Sequence, residues 1–210
     1  MADTVFSLSS GKGKAGIAVV RISGPRADAA LLALAGMLPP LRQATLMTLK
    51  RPATGGILDK ALVLRFAQER SFTGEAVVEL HVHGGSAVVR SVLAALADVP
   101  GLRLARPGEF TRQALQNGRI DLGQVEALAD LIDAETERQQ AHALSGLAGM
   151  LGDAVRRWRE LLLEAKAMVA ADIDFSDEGD VADLALGGID SLLQQLEDQF
   201  ERALLSADRG

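Results

Sequence analysis

Residues 71–85 read SFTGEAVVELHVHGG, and they hold the densest chemistry in the chain. Successive side chains of a strand point to opposite faces. Val78, Leu80 and Val82 would therefore face a core, while Glu79, His81 and His83 would share the other face. The residues alone leave three uses for that polar row. A carboxylate and two imidazoles could ligate a metal. One strand rarely supplies a whole site, however, and the remaining histidine, His142, lies far along the chain, which counts against a metal. The row could simply be a solvated face. Or Glu79 could anchor a ligand, because a carboxylate accepts two parallel N–H bonds from a planar amidine-like edge such as a pterin or guanine. Gly84 and Gly85 would then let backbone approach that ligand closely.

A second stretch, RPGEFTRQALQNGR (residues 106–119), begins with the turn dipeptide Pro107-Gly108. A short helix follows from Glu109 to near Gly118. Arg112 and Arg119 project from it. They could serve only to cap a helix C-terminus, where the dipole favours cations, or Arg119 could meet an anionic or carbonyl-bearing ligand. The hexapeptide GKGKAG at Gly11–Gly16 matches G-x-G-x-x-G, but the β-branched run IAVVRI follows it. The dinucleotide fingerprint needs a helix there. A loop between strands is expected instead, with Lys12 and Lys14 able to grip an anion. The acidic cluster DIDFSDEGD (residues 172–180) lacks EF-hand spacing and reads as a solvated loop. No spacing supports a Ser-His-Asp arrangement.

These groups need elements to position them. Thr4–Leu8, Ile17–Ile22, Thr45–Lys50, Ala61–Phe66, Ala76–His83 and Leu102–Ala105 read as strands. Helices are expected from Pro25 to Met37 and from Gly85 to Ala97. The order does not alternate strand and helix steadily, so the first part is expected to be α+β with a mixed or antiparallel sheet. Beyond residue 119 strand signals stop. Leu122, Val125, Ala129 and Ile132 mark one helical face; Val155, Trp158, Leu162, Ala165 and Val169 a second; Ile189, Leu192, Leu193, Leu196 and Phe200 a third. Three or so helices make part of a bundle, and DFSDEGDVADLALGG separates the last two.

Charge divides at the same place. Residues 1–119 carry a net +7 and residues 120–210 a net −13, which suggests two units with different partners. The boundaries expected are 1–119 and 120–210. Hydrophobic residues make up 48% of the 210, enough to bury a core. No apolar run is long enough to cross a membrane, and Met1–Phe6 has no export pattern. Cysteine is absent, which excludes disulfides and thiolate chemistry and fits a cytoplasmic location.

Together, GIAVVRISG, SFTGEAVVELHVHGG, LRLARPGEFTRQALQNGRIDLGQVEALADLIDA and DFSDE resemble the MnmE (TrmE) family of bacterial tRNA modification GTPases. The resemblance implies a first domain that binds a 5-formyl- or 5,10-methylene-tetrahydrofolate, similar to the folate-binding domain of aminomethyltransferases. It implies dimerisation through that domain. A helical domain would follow, interrupted after about residue 210 by a GTPase domain that uses GTP, Mg2+ and K+. With an FAD-dependent partner of the MnmG type, the family adds an aminomethyl or carboxymethylaminomethyl group to C5 of the tRNA wobble uridine. Folate contacts carry over onto Arg21, Glu79 and Arg119, the last standing where the family commonly has lysine. His83, Gly84, Gly85 and Arg112 would neighbour the pocket. These 210 residues contain no P-loop, so no residue catalytic for GTP hydrolysis is expected among them. The helical part, short of partner helices, would expose apolar surface.

Overall fold

Period-two alternation of apolar and polar residues builds six strands: Thr4–Leu8 (β1), Ala15–Ser23 (β2), Thr45–Lys50 (β3), Ile57–Phe66 (β4), Val77–Gly84 (β5) and Leu102–Leu104 (β6). They are seen in a computed structural model that describes residues 3–11, 13–174 and 182–207. They form one sheet in the order β3-β4-β5-β2-β1-β6. Every neighbouring pair is antiparallel except β1 and β6, which run parallel. With the helices Ala27–Ala35 (α1), Ser86–Ala97 (α2) and Glu109–Gln116 (α3), the first unit is α+β with a mixed sheet. The chain divides into two compact units, 1–120 and 121–210.

One face of the sheet is the core. Val20, Ile22, Val63, Val78, Leu80 and Val82 are fully buried against Ala27, Leu31 and Leu34 of α1 and Val92 and Leu96 of α2. Each large apolar side chain so buried contributes on the order of 1.5–3 kcal/mol. The alternation that sends Val78, Leu80 and Val82 inward sends Glu79, His81 and His83 to the second face. β4 begins four residues earlier than its sequence pattern indicates. Its register with β3 shifts between Leu49 and Lys50, and that irregularity hides the period-two signal of residues 57–60.

The second unit contains Leu122–Asp133 (α4), Glu137–Leu147 (α5), Met150–Asp174 (α6) and Ala182–Ala207 (α7). α5 was not expected. Its sequence, ERQQAHALSGL, is mostly polar, but Thr136 and Gln139 form a reciprocal capping box at its start. In α4 the buried position lies off the expected apolar face. Leu122 and Ile132 are exposed, and Ala127 is the buried position. It packs where a Cβ on Gly146 of α5 would come within 2.8 Å of its own Cβ. In the third expected helix, residues 182–188 are helical rather than loop. A Cβ on Gly188 would lie 3.2 Å from the sulfur of Met168, so the glycine admits close packing of α7 on α6. Trp158 and Phe200 bring their ring centroids within 4.5 Å across the same pair. The acidic cluster expected as a loop is divided: Asp172–Asp174 end α6, and residues 175–181 lie outside the described residues. Ile132, Leu144, Val155, Leu162, Val169, Ile173, Leu204 and Leu205 are exposed, the apolar surface expected of this part.

Candidate functional site

The second face of the sheet has two different ends. Toward the Ser23 end it is covered. Loop 71–75 closes over it through a buried hydrogen bond of 2.7 Å between the hydroxyls of Ser23 and Thr73. The loop is also held from within: the Gly74 amide donates to Ser71 Oγ at 3.0 Å, and that hydroxyl donates to the Glu75 carbonyl at 2.6 Å. Asn117, just after α3, donates from Nδ2 to the Thr73 carbonyl at 2.8 Å. Toward the other end the face is open, with Ile17 64% and Leu46 70% exposed.

Arg21 and Glu79 sit where covered sheet becomes open sheet. The β2–β5 register places them directly opposite each other. Arg21 donates from Nε at 3.0 Å and from Nη2 at 2.7 Å, both to Glu79 Oε1. The other oxygen, Oε2, accepts no hydrogen bond among the described residues and lies 3.6 Å from His81 Nε2. That nitrogen is closed to solvent and has no hydrogen-bond partner among the described residues. The Arg21 guanidinium also lies 5.9 Å from the ring centroid of Phe72 and 5.6 Å from that of Phe110. Two aromatic faces and a carboxylate thus fix a cation whose side chain remains 26% exposed. The arrangement leaves one carboxylate oxygen able to accept N–H bonds from a planar ligand edge, beside aromatic surface on which a ring can lie.

Arg119 reaches the same neighbourhood by another route. A Cβ on Gly74 would lie 3.0 Å from Arg119 Cγ and 2.7 Å from Asn117 Cβ, so the arginine stem crosses this glycine two residues from Phe72. Gly74 has φ +73°, a conformation glycine adopts without strain.

The other expected neighbours are not gathered here. His83 lies four residues beyond Glu79 on β5, roughly 13 Å at about 3.3 Å per residue. Its side chain is 70% exposed, and its ring Nδ1 and backbone N–H both meet Asp59 at 2.7 Å. Burial works against the Asp59 charge, but the contacts with His83 and the bond from the Lys60 backbone N–H together outweigh it and lower that carboxyl. A Cβ on Gly84 would come 2.4 Å from the Ala15 carbonyl oxygen, so the glycine allows close pairing of β5 with β2. Gly85 is the residue before α2. Arg112 lines a polar cleft beside α3. No group of three metal-ligating residues occurs among the described residues. Lys12 lies outside them, and GKGKAG connects two antiparallel strands.

α3 is held in place by charge. Glu109, its first residue, accepts from Arg103 Nη2 at 2.6 Å and Nη1 at 2.9 Å, and from the Arg106 backbone N–H at 2.7 Å. Arg103 also donates to Asp3 at 2.9 Å. The Arg103 bonds pull the Glu109 carboxyl down to about 2. Phe110 follows immediately, so this clamp sets the ring against which Arg21 rests. Sequence reasoning missed Phe72 and Phe110. Their signal was scarcity: the chain has six phenylalanines and no tyrosine, and two of the six fall inside SFTGE and PGEF.

Comparison with known proteins accounts for both units. Residues 4–119 match the model described as GTP-binding protein TrmE N-terminus, and residues 122–210 match that of the MnmE helical domain. A tRNA modification GTPase MnmE of Azorhizobium caulinodans is 53% identical over 99% of this chain and 48% of its own length. That of Caulobacter vibrioides is 49% identical over 100% and 46%, and that of Novosphingobium aromaticivorans 55% over 86% and 41%. The chain spans about half the length of the curated relatives it matches.

Proposed function

Since the chain belongs to the MnmE family of tRNA modification GTPases by both of its units, we propose that its first unit binds a reduced folate at Glu79. In this reading Oε2 of Glu79 takes N–H bonds from the pterin edge, Arg21 holds the carboxylate in place, and Arg119 meets the ligand from the α3 side. The observation that carries it is the half-engaged carboxylate: one oxygen takes both bonds from Arg21, and the other accepts no hydrogen bond among the described residues on a partly covered face. The 5-formyl or 5,10-methylene form would fit equally, since the contacts are to the far edge of the ring. When bound, the folate supplies the one-carbon unit.

Two further parts of the reading concern the whole protein. The open apolar end of the face, with Ile17 and Leu46, supports pairing with a second copy. A GTPase domain using Mg2+ and K+ would power the addition of an aminomethyl or carboxymethylaminomethyl group to C5 of the tRNA wobble uridine, together with an FAD-dependent MnmG-type partner in the cytoplasm. No helix among the described residues is long and apolar enough to cross a membrane.

Calorimetric titration of 5-formyltetrahydrofolate into the chain and into Glu79→Ala tests the folate reading. A hydrogen bond to a charged group contributes about 1.5–3 kcal/mol, so the variant should bind about 10- to 100-fold more weakly. Absence of binding by the folded wild-type chain would leave the first unit as a dimerisation and docking module.

A further inference from the structure

A polar cleft of about 450 Å3 opens beside α3, within the roughly 300–1,000 Å3 of small-molecule sites. It shares its walls with the Arg21–Glu79 site. Loop 71–75 carries Phe72 to Arg21 and Glu75 to the cleft. α3 carries Phe110 to Arg21 and turns Arg112, Gln113 and Gln116 to the cleft, at the spacing that puts helical residues on one side.

The lining has a particular chemistry. Arg103 is neutralised by Glu109 and Asp3. Arg106 and Arg112 also line the cleft and form no salt bridge among the described residues, so two guanidinium groups remain for a ligand. Carboxamides stand between them: Gln113, Gln116 and Asn117. Gln113 Oε1 is closed to solvent and accepts no hydrogen bond, an uncommon and costly state for a buried acceptor. Guanidinium groups take carboxylates two bonds at a time. Carboxamides donate to carbonyls and accept from N–H groups. A γ-linked glutamyl chain presents that combination, with one free carboxylate and one secondary amide per residue. A nucleic-acid backbone offers no amide and asks for a stripe of unpaired cations.

We propose that this cleft binds the γ-glutamyl tail of a polyglutamated folate whose ring lies at Glu79. The proposal rests on the folate reading above and adds to it a preference for long-tailed folates.

The test is calorimetric titration of 5-formyltetrahydrofolate as its monoglutamate and its triglutamate into the 210-residue chain. The triglutamate should bind about tenfold more tightly, the effect of two partly exposed charge-assisted contacts. The gap should fall below twofold in Arg106→Gln/Arg112→Gln and narrow as salt is raised. If that double variant unfolds, Gln113→Leu, which removes one carboxamide with its unpaired acceptor and leaves both guanidinium groups, should narrow the gap at least threefold. Equal affinities for both forms in the wild-type chain overturn the tail site while leaving the folate reading standing. A gap that survives in the variants overturns it too, as does its abolition by a short single-stranded RNA, which would assign the cleft to nucleic acid. Failure of both forms to bind removes both readings together.

Discussion

Replacing Glu109 by glutamine removes the charge that Arg103 grips while keeping the size of the side chain. Three hydrogen bonds converge on that carboxylate, two from Arg103 and one from the Arg106 backbone. Glutamine keeps one acceptor oxygen and loses the charge. Hydrogen bonds to charged groups contribute about 1.5–3 kcal/mol. Arg103 is 40% exposed, so water screens part of the attraction, and a local loss of about 1–2 kcal/mol is expected. Tryptophan fluorescence cannot read this change, because Trp158 lies in the other unit. Hydrogen exchange of peptides spanning residues 106–118 can. α3 should open about 5- to 30-fold more often in the variant. The pH dependence has a definite sign. Glu109 titrates at about 2 in the folded chain against an ordinary 4.5. A depressed carboxylate contributes stability that is complete above its unfolded value and fades as pH falls through the folded one. The difference between wild type and variant should therefore hold steady between about pH 7 and 5 and shrink toward pH 2. A difference of equal size at pH 7 and pH 2.5, after correction for intrinsic exchange, would refute the clamp, and so would no difference at pH 7.

Two other perturbations probe neighbouring parts of the first unit. Gly74→Ala imposes a Cβ on a φ of +73° and drives it to 2.7 Å from Asn117 Cβ. It should cost about 1–3 kcal/mol, seen as a lower thermal midpoint by circular dichroism, and unchanged stability would show that loop 71–75 yields where it is described as fixed. Leu46→Glu places a charge on a side chain already 70% exposed. It should leave the monomer's stability within about 0.5 kcal/mol while shifting sedimentation toward the monomer; a dimer of undiminished strength would move the pairing surface elsewhere.

The parts of this molecule that could be read from sequence are those set by period alone. Val78, Leu80 and Val82 go inward and Glu79, His81 and His83 outward because a strand has no other choice. α4 shows the limit of that reasoning. Apolar residues occupy several of its sides, so periodicity offers more than one stripe, and only the packing of Ala127 on Gly146 selects between them. α5 has too few apolar residues for a periodic signal, and its start was written instead in Thr136 and Gln139. The site follows the same division. The type and side of Glu79 are legible; its half-engaged state is not. That state comes from the β2–β5 register, which pairs Arg21 with Glu79, and from Phe72 and Phe110, brought to Arg21 by a loop and a helix remote in sequence. A slip of one residue in β2 against β5 would set Glu79 against Val20 or Ile22 and send a buried side chain of β2 to the open face. The same core residues that make that slip costly are therefore what deliver a guanidinium to one carboxylate oxygen and leave the other without a hydrogen bond among the described residues.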